Sequence, residues 1–338
     1  MNNCTMEGKT MIHYTGNKPK AVLSLLLGVM FAVGIMTAIV AGGCSKAEQQ
    51  PQGKGFTSPD EAVKALIDTC KLNDTQKLLA IVSPEAKDIF SSGDDVADKA
   101  ERARFVQNYE TKNRLEQKNP ATTILCVGKE DVPFPVPIVK KGEKWYFDVA
   151  AGKEEILNRR IGRNELSVID VMHAYVDAQR EYATRKGRGA DTLIEYAQKI
   201  RSDEGKKNGL YWPAKKGEKM SPLGPFAAQA VSEGYQAKTA APIPYHGYYY
   251  KIVKAQGKNA PGGEYDYVVN DKMILGFALL AWPAEYDNSG IMTFIVNQGN
   301  TVYQKDLGPD TAKIAAALEK YDPDETWKKA EKKDDPAS

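Results

Sequence analysis

The chain contains 338 residues, of which 42% are hydrophobic and 27% are charged. This length and composition allow two globular domains with packed apolar cores. The 46 basic and 44 acidic residues give a net charge of +2, so no electrostatic argument favours a nucleic-acid partner. The sequence holds three histidines, and this scarcity disfavours a histidine-based metal site or general base.

An uncharged, mainly apolar segment covers residues 21–43, directly after Lys18 and Lys20. A basic region followed by an apolar core is typical of a secretory signal peptide. The segment is also long enough to cross a bilayer, which takes about 20 apolar residues. We therefore predict a signal peptide over residues 1–43, with an uncleaved signal anchor as the alternative.

The end of this segment, Ala41-Gly42-Gly43-Cys44, resembles the lipobox of bacterial lipoproteins, although leucine is usual at the first of these positions. The resemblance implies that Cys44 is lipidated, becomes the new N-terminus and anchors the protein to a membrane. Ser45 follows the cysteine, and by the same resemblance this residue favours the outer membrane. We expect the anchored protein to lie in the bacterial cell envelope and to face the periplasm.

Residues 56–150 are predicted to form an α+β domain, joined to the anchor by a polar, flexible tether over residues 44–55. Ser58-Pro59 followed by acidic residues is a strong helix start. Two further helices are predicted over residues 74–82 and 96–117, and strands over residues 122–127, 135–140 and 144–149. In order alone, helices before a curved antiparallel sheet resemble the nuclear-transport-factor and cystatin-like folds.

Cone-shaped folds of this kind often hold a small ligand, and the alternative is a filled core. An open apolar cavity lined by Trp145 and Phe147 would favour ligand binding. Cys70 and Cys126 lie in the same predicted domain, and in an oxidising compartment they could form a disulfide. Both cysteines have apolar neighbours, so two separate buried thiols are the alternative.

The next predicted helix covers residues 164–183, after a linker over residues 151–163. Asn164 is a suitable N-cap, and Glu165 suits the positive end of the helix dipole. Apolar and aromatic side chains recur at steps of three and four residues and share one face of this helix. They are Val168, Ile169, Met172, Tyr175, Val176, Tyr182 and Ala183, together with Gln179.

Several short motifs in the second half of the chain carry a resemblance to known proteins. Asn164-Glu165 and Ala178-Gln179, followed by Gly247-Tyr248-Tyr249-Tyr250 and Ala281-Trp282-Pro283, are similar to the globular heads of type II secretion pseudopilins and type IV pilins. The resemblance implies a pilin-like domain over residues 164–321, with one long helix on an antiparallel meander. The apolar segment lies far upstream of this helix, so we expect no filament assembly.

The wider chain resembles domain-of-unknown-function family 2950, a family of bacterial envelope proteins without an assigned activity. That resemblance includes Trp145-Tyr146-Phe147-Asp148 and the run from Arg159 to Glu165. Residues 322–338 are predicted to be a polar tail.

Tyrosines are concentrated in one predicted strand pair and its loop. They are Tyr248, Tyr249, Tyr250, Tyr265 and Tyr267. Tyrosine gives a large contact area at a small entropic cost, so these residues are candidates for a surface that binds an envelope protein or a glycan. The alternative is a sheet face covered by the long helix.

The sequence has no glycine-rich phosphate loop, no Cys-x-x-Cys pair and no Gly-x-Ser-x-Gly elbow. We therefore predict no catalytic residues, no metal site and no cofactor. The first hypothesis is a lipid-anchored, non-enzymatic envelope protein with a structural or protein-interaction role. The alternatives are a periplasmic ligand-binding lipoprotein and, third, a cell-envelope hydrolase.

Overall fold

The computed structural model describes residues 53–186, 194–235 and 243–330. Within these ranges the chain is a mixed α+β protein, as predicted. Its buried apolar side chains form two clusters: the first core, around Leu66, Leu125 and Ile138, and the second core, around Met172 and Phe294. The predicted signal peptide, the lipidation site and most of the predicted tether lie outside the described residues.

The first core is enclosed by helices and a five-stranded antiparallel sheet. In chain order these elements are α1 (Pro59–Leu72), α2 (Thr75–Val82), α3 (Lys87–Phe90), α4 (Asp95–Thr111), β1 (Asn113–Asn119), β2 (Thr122–Val127), β3 (Val132–Pro133), β4 (Ile138–Lys141) and β5 (Lys144–Phe147). The strand order is β1-β2-β4-β5, and β3 pairs with β2.

Helix α1 begins as its sequence predicts. The Ser58 side chain accepts a hydrogen bond from the Glu61 backbone N–H at 3.1 Å, and Pro59 occupies the first turn. Asn73 ends the helix in the left-handed conformation, with φ of 51°. The helix buries its apolar face, including Leu66, in the first core.

The predicted helix over residues 96–117 is too long. Helix α4 ends at Thr111, and β1 follows it as a strand that pairs with β2, with Leu115 opposite Leu125. The backbone N–H and C=O groups along the edge of the buried strand β2 need hydrogen-bond partners. A polar segment can supply these partners as well as an apolar segment can. Hydrophobic periodicity therefore does not reveal β1.

Helix α5 (Val149–Lys186) is continuous over 38 residues, so the helix does not begin at Asn164 as predicted, and residues 151–163, predicted as a linker, are helical. Asn164 does not cap a helix, because its side-chain amide donates to the Ser289 carbonyl oxygen at 2.8 Å. The preceding turns are held by an ion pair at i,i+4 spacing, between Arg159 and Glu155 at 2.6 Å. One helix therefore runs past both cores.

The second core lies between α5 and a five-stranded sheet with the order β14-β13-β12-β11-β6. The elements of this half are α6 (Gly224–Glu233), β6 (Tyr248–Val253), β7 (Ala255–Gln256), β8 (Tyr265–Asp266), β9 (Val268–Val269), β10 (Lys272–Met273), β11 (Ala278–Pro283), β12 (Met292–Asn297), β13 (Tyr303–Asp306), α7 (Thr311–Ala317) and β14 (Lys328–Lys329). Helix α5 packs on β11 and β12, and α7 packs on β11.

The polar tail predicted to start at residue 322 belongs to the fold as far as Ala330. Asp322 accepts a hydrogen bond from the Asn259 backbone N–H at 2.7 Å, and β14 pairs with β13 as the edge strand of the sheet. The Ala330 backbone N–H also donates to the Val302 carbonyl oxygen at 2.9 Å. Polar composition hid this strand, because an edge strand needs backbone pairing more than apolar side chains. None of the helices in the described ranges is long and apolar enough to cross a membrane.

Candidate functional site

A cavity of about 610 Å³ lies between the first core, α4 and the N-terminal part of α5. Small-molecule sites occupy roughly 300–1,000 Å³, so the volume suits a small ligand. The cavity combines an apolar lining with arginine side chains. The apolar lining includes Leu66, Cys70, Ala97, Phe105, Phe134 and Ile156. The arginines of the lining are Arg102, Arg104, Arg159, Arg160 and Arg163.

The composition of α4 explains why this space is not filled. Asp98 is the buried residue of α4, whereas Phe105 is only half-buried. The Phe105 ring packs on Phe134 from the loop after β3, with ring centroids 5.0 Å apart. Because α4 presents few large apolar side chains, it covers the first core incompletely and leaves the cavity beneath it.

The cavity is not the one expected from Trp145 and Phe147. Phe147 packs edge to face on Phe56 with centroids 6.2 Å apart, and the Phe56 backbone exchanges hydrogen bonds with Trp145. These rings therefore pack in a part of the first core that does not line the cavity. Phe105 and Phe134 supply aromatic lining instead.

Arg160 joins the wall of the cavity to both halves of the protein. It is 9% exposed, and its guanidinium donates to the carbonyl oxygens of Asp88, at 3.1 Å, and Ile89, and to the side chain of Asn288. Burial lowers the pKa of the Arg160 guanidinium, and the nearby Asp98 carboxylate opposes that shift. Arg160 therefore connects the two halves through three hydrogen bonds.

Three other charged groups of the lining also have internal partners. Arg102 donates to the Asn73 side chain at 2.6 Å, and Arg159 pairs with Glu155 at 2.6 Å. The Asp98 carboxylate accepts from the Ser92 backbone at 2.9 Å and from its hydroxyl at 2.7 Å. Burial raises the pKa of Asp98, and the Ser92 hydrogen bonds oppose that shift.

Arg104, Arg163 and Glu101 form a different arrangement at the exposed edge of the cavity. The same Glu101 oxygen contacts Arg104 at 2.5 Å and Arg163 at 3.1 Å. The side chains of Arg104, Arg163 and Glu101 are 56%, 45% and 45% exposed, so they face both the cavity and solvent. Two guanidinium groups thus share one carboxylate, which leaves a local excess of positive charge.

Glu165 follows this arginine-rich turn and anchors α5 to β12. Its carboxylate is 7% exposed and accepts from the backbone N–H groups of Ile291 at 3.0 Å and Met292 at 2.9 Å. Burial raises the pKa of Glu165, and these two hydrogen bonds oppose the shift. The run from Arg159 to Glu165, noted in the sequence for a family resemblance, is therefore where α5 joins the two halves.

The far end of the cavity is closed by a second junction. The Asp94 carboxylate caps α4 through the Ala97 backbone N–H at 3.0 Å. It also accepts from the Tyr235 hydroxyl at 2.8 Å and from the Gly247 backbone N–H at 3.1 Å. His246 lines this end and lies 3.7 Å from Glu233, and burial lowers the pKa of its imidazole.

Of the two alternatives left open for Cys70 and Cys126, the disulfide between them is not formed. Cys70 is a free buried thiol that lines the cavity, and burial raises its pKa to about 11. Cys126 is itself disulfide-bonded and is not a free thiol. Cys70 belongs to α1, and its thiol lies among the apolar side chains of the first core and the cavity lining.

Two of the five candidate tyrosines do not lie at the surface. Tyr248 and Tyr267 are fully buried in the second core, as in the alternative of a covered sheet face. Tyr249, Tyr250 and Tyr265 are half-buried, and the Tyr249 ring packs on Trp282 with centroids 5.9 Å apart. Alternation along β6 separates Tyr249 from its neighbours, so the set does not form one contact face.

A second cavity, of about 690 Å³, lies beside α6 and is lined mainly by apolar and aromatic side chains such as Tyr175, Phe226 and Leu279. It lacks the convergent charged groups of the first cavity, which fix ligand orientation in binding sites. His173 lies elsewhere, with its ring 2.8 Å from the Asn300 side chain. Among the described residues, no cluster of side chains is suited to hold a metal ion.

We did not predict from the sequence that Arg104 and Arg163 meet at the exposed edge of the cavity, called the arginine edge below. Arginines at positions 159, 160 and 163, and at 102 and 104, are visible as two basic runs, and these runs were the available signal. Their convergence depends on α4 lying beside α5, which spacing alone does not establish.

Comparison with known proteins gives one match. The model of the family described as "Protein of unknown function (DUF2950)" matches residues 53–330. No curated protein matches the chain significantly, and no solved structure does.

Proposed function

Because the chain belongs to the DUF2950 family, whose description assigns no activity, we propose a function from the geometry of the cavity. The protein is a lipid-anchored, non-enzymatic protein of the bacterial cell envelope that binds a small ligand between the first core and α5. The observation that carries this proposal is a cavity of about 610 Å³ that joins an apolar lining to an arginine edge.

We favour ligand binding over a protein-interaction surface and over a hydrolase because of where the cavity lies. An interaction surface built on the tyrosines loses support because Tyr248 and Tyr267 are buried. A hydrolase needs a positioned nucleophile, base or metal. The polar groups of the cavity are instead engaged in holding the fold, as Arg160 and Asp98 illustrate.

We also propose that the two cores belong to two domains of the expected kinds. Helices on a five-stranded antiparallel sheet support a nuclear-transport-factor or cystatin-like domain. The packing of α5 on β11 and β12 supports a pilin-like domain. The boundary then falls inside α5, and the shared helix fixes the shape of the cavity between the domains.

The membrane anchor of the proposal is the lipid on Cys44. The sequence Ala41-Gly42-Gly43-Cys44 supports it, and the protein is then held at the outer membrane and faces the periplasm. Cys44→Ala is expected to abolish incorporation of radioactive palmitate in cells. Labelling that persists in this variant would show that Cys44 is not the lipidation site.

Ligand binding in the cavity is tested by filling it. Ala97 lines the cavity from α4, and Ala97→Phe places a ring in the space without removing a backbone hydrogen bond. We expect the affinity for the fluorescent amphiphile anilinonaphthalene sulfonate to fall by about tenfold or more, equivalent to about 1.4 kcal/mol.

The matched control is Ala103→Phe, on the exposed side of the same helix and outside the cavity lining. This variant should bind the probe as the unmodified protein does, and circular dichroism should show the same helix content in both variants. Equal affinities of the two variants would contradict ligand binding in this cavity.

A further inference from the structure

We infer that the cavity takes an amphipathic anion, with a carboxylate or phosphate head at the Arg104–Arg163 edge and one apolar chain or ring system inside. This inference rests on the proposed function and adds the chemical class of the ligand. It is based on which charged groups around the cavity already have partners inside the protein.

The buried charges of the cavity already have partners inside the protein. Arg160 donates to two carbonyl oxygens and to Asn288, and each oxygen of Asp98 accepts a hydrogen bond from Ser92. A guanidinium with such partners would have to lose them before it could bind an anion. These groups therefore shape the cavity and leave recognition to the edge.

Arg104 and Arg163 have donors to spare. Each guanidinium carries five N–H donors, and in the described part of the chain both groups form their ion pairs with one oxygen of Glu101, at 2.5 Å and 3.1 Å. Two positive charges against one negative charge leave about one unit of charge for an incoming anion. The planar fork of arginine matches the geometry of carboxylate and phosphate groups.

The interior fits the apolar part of such a molecule. Leu66, Phe105, Phe134 and Ile156 line it, and a drug-sized body can be buried in about 610 Å³. A cationic head would be repelled by the edge, and a neutral head would leave the arginine pair without its additional partner. Charge complementarity therefore selects an anionic amphiphile over other ligands of the same size.

The test uses four probes with one chain length: laurate, dodecyl phosphate, dodecanol and dodecylamine. The full chain is held in phosphatidylcholine nanodiscs, and empty nanodiscs provide the blank for partitioning. Occupancy is read from protection of the Cys70 thiol against a small uncharged thiol reagent at alkaline pH, because Cys70 lines the cavity and is a free thiol whose pKa is raised by burial to about 11. Peptide mapping by mass spectrometry assigns the label to Cys70.

At least one of the two anions should protect Cys70 at a concentration about tenfold lower than dodecanol or dodecylamine. The better of the two anions identifies the head group as carboxylate or phosphate. Arg163→Gln and Arg104→Gln should each weaken protection by that anion about tenfold and leave protection by dodecanol unchanged. Arg180→Gln, an exposed arginine of α5 outside the cavity, should change neither.

The possible failures separate the two proposals. If dodecanol protects Cys70 as well as the anions do, and Arg163→Gln has no effect, the inferred head group is wrong while ligand binding stands. If none of the four probes protects Cys70, both the proposed function and this inference fail. Unchanged protection by dodecanol in the arginine variants shows that these variants still fold.

Discussion

Replacing Glu165 by alanine is expected to lower the free energy of unfolding by about 2–6 kcal/mol. The Glu165 carboxylate is buried and accepts the backbone N–H groups of Ile291 and Met292. Each buried donor left without an acceptor costs about 1–3 kcal/mol. The loss falls on the junction between α5 and β12, so it weakens the packing of the long helix on the second core.

The measurement is equilibrium unfolding in urea, with Glu154→Ala as the matched control. Glu154 is exposed on the same helix, and its removal should change the free energy of unfolding by less than about 0.5 kcal/mol. Similar stabilities of Glu165→Ala and Glu154→Ala would mean that the buried carboxylate does not hold the helix to the sheet.

The second large effect is expected at Arg160. Arg160→Met keeps much of the side-chain volume but removes the donors to the Asp88 and Ile89 carbonyl oxygens and to Asn288. It also removes the positive charge beside the buried Asp98 carboxylate. Breaking a buried charged network by removing one partner costs about 3–5 kcal/mol, and we expect a loss of that size.

Arg159→Met is the control for this substitution, because Arg159 is the adjacent residue and its partly exposed side chain pairs with Glu155 on the same helix. Pairs of that kind contribute about 0–1 kcal/mol, so the control should unfold almost as the unmodified protein does. The comparison is made by guanidinium unfolding at neutral pH. An Arg160→Met protein as stable as the control would refute the joint between the two halves.

Local signals predicted the elements whose ends are defined by capping residues. Ser58 and Pro59 set the start of α1, and the alternating residues of β4 and β5 set the hairpin at the end of the first sheet. The apolar face of α5 from Val168 onward was also visible, and those residues are buried in the second core. In each case the stabilising partners are only a few residues apart in the chain.

Elements held by distant partners were missed. Strand β1 exists because β2 offers it a buried edge, and the first turns of α5 are fixed by Arg160, whose partner Asn288 is 128 residues away. Asn164 illustrates the same difficulty, because its side chain suits an N-cap but binds the Ser289 carbonyl oxygen in mid-helix. A cap signal is local, and a tertiary hydrogen bond can use the same atoms.

The cavity was foreseen as a possibility but its lining was not. The thin apolar stripe of α4 was the useful signal, because a helix with so few large apolar residues cannot fill the space beside a sheet. Which arginines surround that space depends on how α4 and α5 lie together. The Arg104–Arg163 edge is therefore a property of the tertiary structure.

The most direct test of ligand binding is native mass spectrometry of the anchored protein released from its own envelope. We expect a one-to-one adduct with an acidic amphiphile on the unmodified protein and on Ala103→Phe. We expect Ala97→Phe to lose this adduct. Identification of the released molecule by negative-ion mass spectrometry would show its head group. Spectra in which all three proteins carry no small molecule, or in which Ala97→Phe keeps the same adduct, would contradict ligand binding in the cavity.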